Sequence, residues 1–410
     1  MNPIKHLIDA VVVVTLCVLT AFPVRAEAVR TGTTAVTPRV SVGWAHTVAL
    51  KADSSLWTWG YNSSGQLGDG TMTDRLVPKQ IGTGYAAIAV GKSHYTVALK
   101  TDGSLWAWGD NASGQLGDGT TAGSLVPKQI GTGSYTAVAA GGSHTVALKA
   151  DGSLWAWGDD NSAYNANDSL IPKQIGTDSY TAIAAGWSHT VALKTDGSLF
   201  TWGKNLSGQL GDGTTTDRAV PVQIGTGSYT AIAAGFQSTF ALVADGTLWG
   251  WGYIGDYGYL GDGSRGYLDG EGFLGDGTRS GSLVPKQIGT GKYSAISTAN
   301  NYSFALEADG SLWAWGANFY GQLGDGTNIY SLVPRYIINL ADTIAPSAPS
   351  GLNAVSVGAN QVKLIWSASV DSSGVVDYQI YRNGVYIGTT TVTSYGDIGL
   401  TASTSYSYTV

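Results

Sequence analysis

Histidines recur along the chain in a pattern that could hold a metal ion. The four copies are His46, His94, His144 and His189. If they occupied one position of a repeat around a common axis, their imidazoles would suit zinc or a similar metal. Ser238 and Tyr302 stand where two further copies should carry histidine, so such a ring would be broken. We therefore favour imidazoles that hydrogen-bond neighbouring backbone groups, and we predict no metal site.

Aspartates also recur, each in a Gly-Asp-Gly turn. They are Asp69, Asp118, Asp212, Asp262, Asp276 and Asp325. Calcium binds carboxylates in loops, but the spacing matches no EF-hand and each turn offers a single carboxylate. We expect these side chains to bond their own backbone in Asx-type turns instead.

Residues of the types that catalyse reactions do not form a known pattern. The sequence contains no Gly-x-Ser-x-Gly elbow, His-Glu-x-x-His pair or phosphate loop. Glycoside hydrolysis needs two converging acids, and glutamate occurs only at Glu27, Glu271 and Glu307. We predict no catalytic residue, no enzyme activity and no cofactor.

Aromatic residues at variable positions are the better candidates for binding. Trp44, Trp187 and Phe236 each follow a recurring glycine and are predicted to form an exposed patch, while further aromatics lie in the region around the last two copies. The candidate binding residues are Trp44, Trp187, Phe236, Tyr302, Phe319 and Tyr320. Aromatic side chains dominate protein-binding hot spots and also pack against sugars. The alternative is that they fill space between neighbouring units.

These residues are positioned by a unit that returns six times. An aromatic-x-Trp-Gly phrase recurs, with its tryptophans 49, 49, 45, 49 and 64 residues apart. Within one copy, residues 182–185, 190–194 and 199–202 read as strands, with an Asp-Gly turn before the third. A Pro-containing segment, 171–175, reads as a fourth strand at the sheet edge.

Four antiparallel strands repeated six times predict an all-β protein with a β-propeller. The tryptophans are expected to pack between blades. The first copy has no Leu-Val-Pro strand before it, and the last is followed by an unmatched one at 332–337. We expect this unmatched strand to complete the first blade and close the ring.

The repeat resembles the RCC1-like family (regulator of chromosome condensation). The matching pieces are Ala-Ala-Gly-x-Ser-His-Thr-x-Ala-Leu, Asp-Gly-x-Leu-x-x-Trp-Gly and Asn-x-x-Gly-Gln-Leu-Gly-Asp-Gly-Thr, over residues 39–340. The resemblance implies a propeller for which six blades are counted here and seven are possible. It also implies a binding role, since the namesake exchanges nucleotide on a small GTPase and a secreted bacterial relative inhibits β-lactamases.

The C-terminal part has a different composition. A Pro-rich linker, 341–350, precedes residues 351–410, which resemble an incomplete, immunoglobulin-like fibronectin type III sandwich. Five strands are expected, at 352–357, 361–367, 378–381, 385–389 and 405–410. Leu400, Thr404 and Tyr406 match the tyrosine corner of that family.

The N-terminus has the pattern of an export signal. An apolar stretch follows Lys5, and Val24-Arg25-Ala26 offers a cleavage site, so residues 1–26 are predicted to be a signal peptide. The single cysteine, Cys17, lies inside it. The net charge is −7 without any basic run, which disfavours nucleic-acid binding. No membrane insertion is expected after cleavage.

Together these patterns predict a secreted or cell-surface binding or scaffold protein that uses a propeller face for protein–protein interaction. A polysaccharide-binding module of a larger extracellular protein is the alternative. Guanine-nucleotide exchange is a second alternative, by family analogy alone.

Overall fold

The computed structural model describes residues 36, 39–43, 45–159, 169–253, 257–259, 265–267, 274–278, 280–299, 302–318, 321–340, 346–371, 375 and 377–410. The proposed signal peptide, Trp44, Asp262, Phe319 and Tyr320 lie outside these residues. Every regular element within them is a β-strand, and they include no helix long and apolar enough to span a membrane. The chain divides into two compact units, with the main change at Ile338.

The first unit contains six four-stranded antiparallel sheets in its described part. Sheet 1 consists of β1 (Arg39–Val42), β2 (His46–Leu50), β3 (Leu56–Gly60) and β4 (Arg75–Gly82). Sheet 2 consists of β5 (Tyr85–Val90), β6 (Tyr95–Lys100), β7 (Ser104–Gly109) and β8 (Ser124–Ser134). Sheet 3 consists of β9 (Ala137–Ala140), β10 (His144–Leu148), β11 (Ser153–Gly158) and β12 (Ser169–Ser179).

The remaining sheets follow the same order. Sheet 4 consists of β13 (Ala182–Ala185), β14 (His189–Leu193), β15 (Leu199–Gly203) and β16 (Arg218–Ile224). Sheet 5 consists of β17 (Tyr229–Ala234), β18 (Ser238–Val243), β19 (Leu248–Gly252) and β22 (Ser282–Gln287), with a two-stranded pair, β20 (Tyr257–Tyr259) and β21 (Arg265–Tyr267), inserted before β22. Sheet 6 consists of β23 (Tyr293–Thr298), β24 (Tyr302–Glu307), β25 (Ser311–Gly316) and β26 (Ser331–Asn339).

The Asp-Gly turns form the central hairpins of the sheets, as predicted. In sheet 3, Leu148 pairs with Leu154 across the turn. Gly152 has φ +79°, a conformation that costs glycine little. The Asp151 carboxylate accepts a hydrogen bond from the Ser153 amide at 2.9 Å and fixes the turn.

The Pro-containing strands lie at sheet edges, as expected, but their assignment to sheets differs from the expectation. Each belongs to the sheet that precedes it in the chain, so that Gly158 pairs with Ser169 and Gly203 with Arg218. Strand β26 accordingly completes sheet 6. The predicted closure of the first sheet by residues 332–337 is therefore wrong, because every Leu-Val-Pro strand returns locally onto the third strand of its own copy.

The second tryptophan of the recurring phrase packs between neighbouring sheets. Trp108, Trp157, Trp202, Trp251 and Trp315 are at most 1% exposed. Trp108 joins Val48 and Leu50 of sheet 1 in one apolar cluster, which shows that it fills the space between sheets 1 and 2. Equivalent clusters join sheets 2 and 3, 3 and 4, 4 and 5, and 5 and 6.

The second unit is a small β-sandwich. One sheet joins β27 (Ser350–Gly358), β28 (Gln361–Ser367) and β31 (Ser394–Ile398); the other joins β29 (Tyr378–Arg382), β30 (Val385–Thr390) and β32 (Tyr408–Thr409). Strand β31 was not predicted. The core of the second unit is formed by Leu364, Trp366, Tyr378 and Ile380. The Tyr406 hydroxyl accepts a hydrogen bond from the Thr401 amide at 3.0 Å, which confirms the tyrosine corner.

Candidate binding face

The recurring histidines do not all share one position. His46, His144 and His189 each begin the second strand of their sheet and pair with the glycine that ends the third strand. In sheet 2 that place belongs to Tyr95, which pairs with Gly109. The expectation for His94 is therefore wrong: one extra residue between Gly91 and the strand shifts His94 outside it.

The buried imidazoles connect neighbouring sheets through side-chain hydroxyls. His46 Nε2 lies 3.1 Å from Thr96 Oγ1, and His189 Nε2 lies 3.0 Å from Thr239 Oγ1. Each threonine gives its proton to a glutamine carbonyl, as Thr96 does to Gln66 at 2.9 Å. Nε2 must therefore be the donor in each pair.

This arrangement makes the histidines structural. Burial, followed by the neighbouring His94, lowers the pKa of His46 to about 3. Burial, followed by His144 and Lys92, lowers that of His189 to about 3. Both rings are therefore neutral at physiological pH. Within the described part of the chain, no three His, Cys, Asp or Glu side chains cluster as a metal site would require.

The Gly-Asp-Gly carboxylates bond within their own loops, and the Asx-type interpretation is confirmed where the loops are described. Asp212 Oδ1 accepts hydrogen bonds from the Thr214 amide at 3.0 Å and from Asn205 Nδ2 at 3.0 Å, while Oδ2 accepts from Arg218 Nε at 2.7 Å. Burial raises the pKa of Asp212, but the hydrogen bonds from Thr214 and Arg218 outweigh it and hold that pKa below its usual range. Asp262 lies outside the described residues.

Two of the predicted binding residues are brought into contact. The rings of Trp187 and Phe236 lie 4.6 Å apart between centroids, tilted by 34°, and both side chains are half-buried. Tyr302 lies at the start of β24, where its ring meets Phe304 edge-on at 5.7 Å. Trp44, Phe319 and Tyr320 lie outside the described residues, so their part in the predicted patch stays a prediction.

The aromatic pair belongs to a rim built from the turns after the first strands of sheets 2 to 5. We call this set the inner rim: Lys92, Gly142, Trp187 and Phe236. Its turns are tied by backbone hydrogen bonds, from Lys92 N to Gly141 O at 2.8 Å, from Gly142 N to Trp187 O at 2.8 Å and from Trp187 N to Gly235 O at 3.2 Å. A Cβ on Gly142 would lie 2.9 Å from the Trp187 ring, so glycine is needed beside the indole.

Lys92 supplies a positive charge that sequence reasoning did not assign to the site. It is half-buried, and burial lowers its pKa to about 8. The place of Lys92 in the repeat could have identified it, because Lys92 follows the recurring glycine, as Trp187 and Phe236 do in sheets 4 and 5. The inner rim therefore combines a cation with two packed aromatic rings.

A cavity of about 800 Å³ lies at the opposite ends of the same strands. Its walls include the hydroxyl residues Thr136, Thr181, Thr230 and Ser294, one from each of sheets 3 to 6. Lys194 at its edge pairs with Asp178 at 3.0 Å and lies over the Phe200 ring at 4.3 Å. Each hydroxyl donates to a backbone carbonyl, as Thr181 does to Leu193 at 3.3 Å, so the hydroxyls offer the cavity neutral hydrogen-bond acceptors.

Comparison with solved structures supports the fold. Prp20p from Saccharomyces cerevisiae, described with its binding to Gsp1p and histones, aligns with a TM-score of 0.61 at 24% identity over 74% of this chain and 78% of that chain. Human WBSCR16 aligns with a TM-score of 0.61 at 22% identity over 76% of this chain and 83% of that chain. At this identity the likeness concerns the fold alone.

Several curated relatives match a segment of about 70 residues in the C-terminal part of the chain. An alpha-amylase of Niallia circulans is 54% identical over 69 residues, which are 17% of this chain and 5% of the amylase. Exoglucanase B of Cellulomonas fimi is 51% identical over 71 residues, 17% of this chain and 6% of the exoglucanase. Chitinase C of Streptomyces lividans is 47% identical over 66 residues, 16% of this chain and 11% of the chitinase. The chain thus spans a small fraction of each of these proteins.

Family assignment rests on the repeats themselves. The family model described as "Regulator of chromosome condensation (RCC1) repeat" matches residues 53–99, 102–148, 196–242 and 309–360. A second family model of the same repeat matches residues 39–66, 85–115, 135–163, 180–209, 229–258 and 294–322. The chain therefore belongs to the RCC1 repeat family of β-propellers and carries a C-terminal segment similar to fibronectin type III regions of bacterial glycosidases.

Proposed function

We propose that this is an exported binding protein, secreted or held at the cell surface, whose propeller offers the inner rim to a protein partner. The observation that supports it is the half-buried pair of Trp187 and Phe236, set on hydrogen-bonded turns of the rim that also carries Lys92. Rigid aromatic side chains lose little conformational entropy on binding and often anchor interfaces. The proposal needs no cofactor and no catalytic residue.

Export rests on the sequence of the first 26 residues and on the similarity to segments of bacterial extracellular glycosidases. Cleavage of the signal peptide after Ala26 should remove the apolar stretch during export. N-terminal sequencing of the protein recovered from the medium or cell surface is expected to begin at Glu27. Recovery only from the cytoplasm, with the N-terminus intact, would contradict export.

Binding through the inner rim can be tested with a double variant, Trp187→Ala with Phe236→Ala. The full-length protein is used to capture partners from cell-envelope and medium proteins. Leu206→Ala is the matched control, because Leu206 is an apolar residue that is 71% exposed outside the rim. A protein retained by the wild type and the control but lost with the double variant supports the proposal. Equal capture by all three would contradict it.

Polysaccharide recognition is the second candidate, and the C-terminal similarity to segments of an amylase, an exoglucanase and chitinases favours it. The hydroxyl-lined cavity offers neutral hydrogen-bonding groups of a kind that sugars can use. Binding of the full chain to insoluble chitin, cellulose and starch would test this. Retention on one polysaccharide that Thr181→Val reduces and the inner-rim double variant leaves unchanged would favour this function over protein binding.

A further inference from the structure

Six hydroxyl groups in the wall of the cavity direct their protons to the protein's own backbone. They donate to carbonyl oxygens as follows: Thr136 to Leu148 at 3.3 Å, Ser179 to Asp151 at 2.8 Å, Thr181 to Leu193 at 3.3 Å, Ser228 to Asp196 at 3.3 Å, Thr230 to Leu242 at 3.2 Å and Ser294 to Leu306 at 3.0 Å. A hydroxyl oxygen that donates its proton keeps lone pairs that accept. These six groups therefore meet a ligand as hydrogen-bond acceptors.

The two lysines of the wall have their ammonium groups held elsewhere. Lys149 Nζ lies over the Trp155 ring at 3.7 Å from its centroid. Lys194 Nζ lies over the Phe200 ring at 4.3 Å and pairs with Asp178 at 3.0 Å. Trp155, Phe200 and Asp178 do not line the cavity. These contacts hold the two strongest donors of the wall at partners outside it.

Two carboxylates at the edge of the cavity add negative charge. Asp151 and Asp196 line the cavity and are exposed. Oδ1 of each accepts a hydrogen bond at 2.9 Å, from the amide of Ser153 or of Ser198. Hydrogen bonds from these two serines hold the pKa of each carboxyl below its usual range, so both groups are ionised at neutral pH. Oδ2 of each carboxylate makes no hydrogen bond within the part of the chain that the structure describes and can accept from a ligand.

Acceptors therefore outnumber donors among the side chains of the wall, and this imbalance selects the ligand. A ligand group that only accepts, such as an acetamido carbonyl, would face further acceptors, and a polar group left unpaired on binding lowers affinity. A protonated amine instead donates three hydrogen bonds, which are strengthened by its charge. Asp151 and Asp196 attract such a group to the edge of the cavity.

The size and the remaining wall of the cavity suit a sugar. Its volume of about 800 Å³ falls within the roughly 300–1,000 Å³ of sites that bind small molecules. Leu193, Tyr180 and Tyr229 also line it and add apolar area, against which the carbon-bound hydrogens of a sugar ring can pack. Because the hydroxyl acceptors come from four sheets, they suit a ligand with several O–H donors.

We propose that this cavity binds an amino sugar whose amine is free and protonated, in preference to the N-acetylated sugar or a neutral one. The hydroxyl oxygens of the wall accept from the O–H groups of the sugar, and the carboxylates of Asp151 and Asp196 attract its ammonium group. This inference rests on the second candidate function, polysaccharide recognition, and names the class of sugar that the cavity takes.

Isothermal titration of the full chain with three tetrasaccharides supplies the test. They are the tetramer of glucosamine, the tetramer of N-acetylglucosamine and cellotetraose, which differ at the position of the amine. The titrations are done at about pH 6, where the sugar amine is protonated and both carboxylates are ionised. The glucosamine tetramer is expected to bind about tenfold more tightly than the other two.

Variants of the two carboxylates test the origin of this preference. Asp151→Asn with Asp196→Asn removes both charges and keeps the oxygens that accept from the serine amides. Asp53→Asn with Asp102→Asn is the matched control, because these two aspartates lie in the same turns of sheets 1 and 2, accept from serine amides at 2.9 and 2.8 Å and do not line the cavity. The first pair is expected to abolish the preference for glucosamine, and the control pair to retain it. Far-UV circular dichroism verifies that both variants are folded.

The possible failures are distinguishable. Equal affinity for the three tetrasaccharides, or a preference that changes equally in both variants, would overturn this inference and leave polysaccharide recognition in place. Binding of none of them would contradict both. Spermidine carries ammonium groups without a sugar ring, so spermidine that binds as tightly as the glucosamine tetramer would overturn the assignment to a sugar.

Discussion

Replacing the same tryptophan of the repeat at two different junctions should have unequal effects. Trp108 and Trp59 occupy equivalent places in sheets 2 and 1. Trp108 is fully buried, and its Nε1 donates to the Gln66 carbonyl of the preceding sheet at 3.0 Å. Trp59 is half-buried. The comparison therefore isolates what the junction with a preceding sheet contributes.

The expected magnitudes follow from burial. Removing a fully buried tryptophan side chain costs about 3–5 kcal/mol, and Trp108→Ala also leaves the Gln66 carbonyl without its donor. Burial of a whole indole is worth about 4–6 kcal/mol by area, and Trp59 keeps more than half of this area buried, so its removal should cost about 3 kcal/mol. Trp108→Ala should therefore destabilise the protein by about 1–2 kcal/mol more than Trp59→Ala.

Urea unfolding, followed by circular dichroism of both variants and the wild type, measures this difference. Losses of stability that agree within about 0.5 kcal/mol would show that Trp59 is buried as fully as its equivalent, and would refute the reasoning.

Two further predictions concern histidine and glycine. The pKa of His189 is about 3 in the folded protein and 6.5 when unfolded, so stability is highest above pH 6.5 and falls as the pH drops towards 3. Between pH 7 and pH 5 this residue should remove about 2 kcal/mol, and His189→Gln, which keeps the bond to Thr239, should flatten the unfolding free energy against pH; an unchanged slope would contradict this. A Cβ on Gly211 would lie 2.6 Å from Trp251 Nε1, whereas one on Gly324 would meet only Ile337, at 3.6 Å. Both glycines have similar positive φ, so Gly211→Ala should lower the melting temperature clearly more than Gly324→Ala, and equal shifts would contradict the packing.

The sheets could be predicted from the sequence because each copy repeats the same strand and turn signals. An Asp-Gly turn such as Asp151-Gly152 marks the hairpin in five of the six copies, Asp53-Ser54 takes its place in the first, and the tryptophans need a packed interior. The grouping of strands into sheets was harder to predict. In a periodic sequence the segment 171–175 can be read as the last strand of one copy or the first of the next, and the local pairing of Gly158 with Ser169 decides between them.

The candidate site was predictable only in part. Trp187 and Phe236 stood out because they differ from their equivalents, and the structure places their rings in contact. His94 was misplaced because one inserted residue changes the strand register without changing the Ser-His motif.

Hydrogen exchange at four amides tests the central claim, that the loop of one sheet holds the edge strand of the next and so packs the sheets together. Gly70, Gly119, Gly213 and Gly277 each donate their amide to a leucine carbonyl of the next sheet. These four amides are expected to be protected from exchange in the folded protein. Exchange of all four as fast as in a solvent-exposed turn would contradict the account.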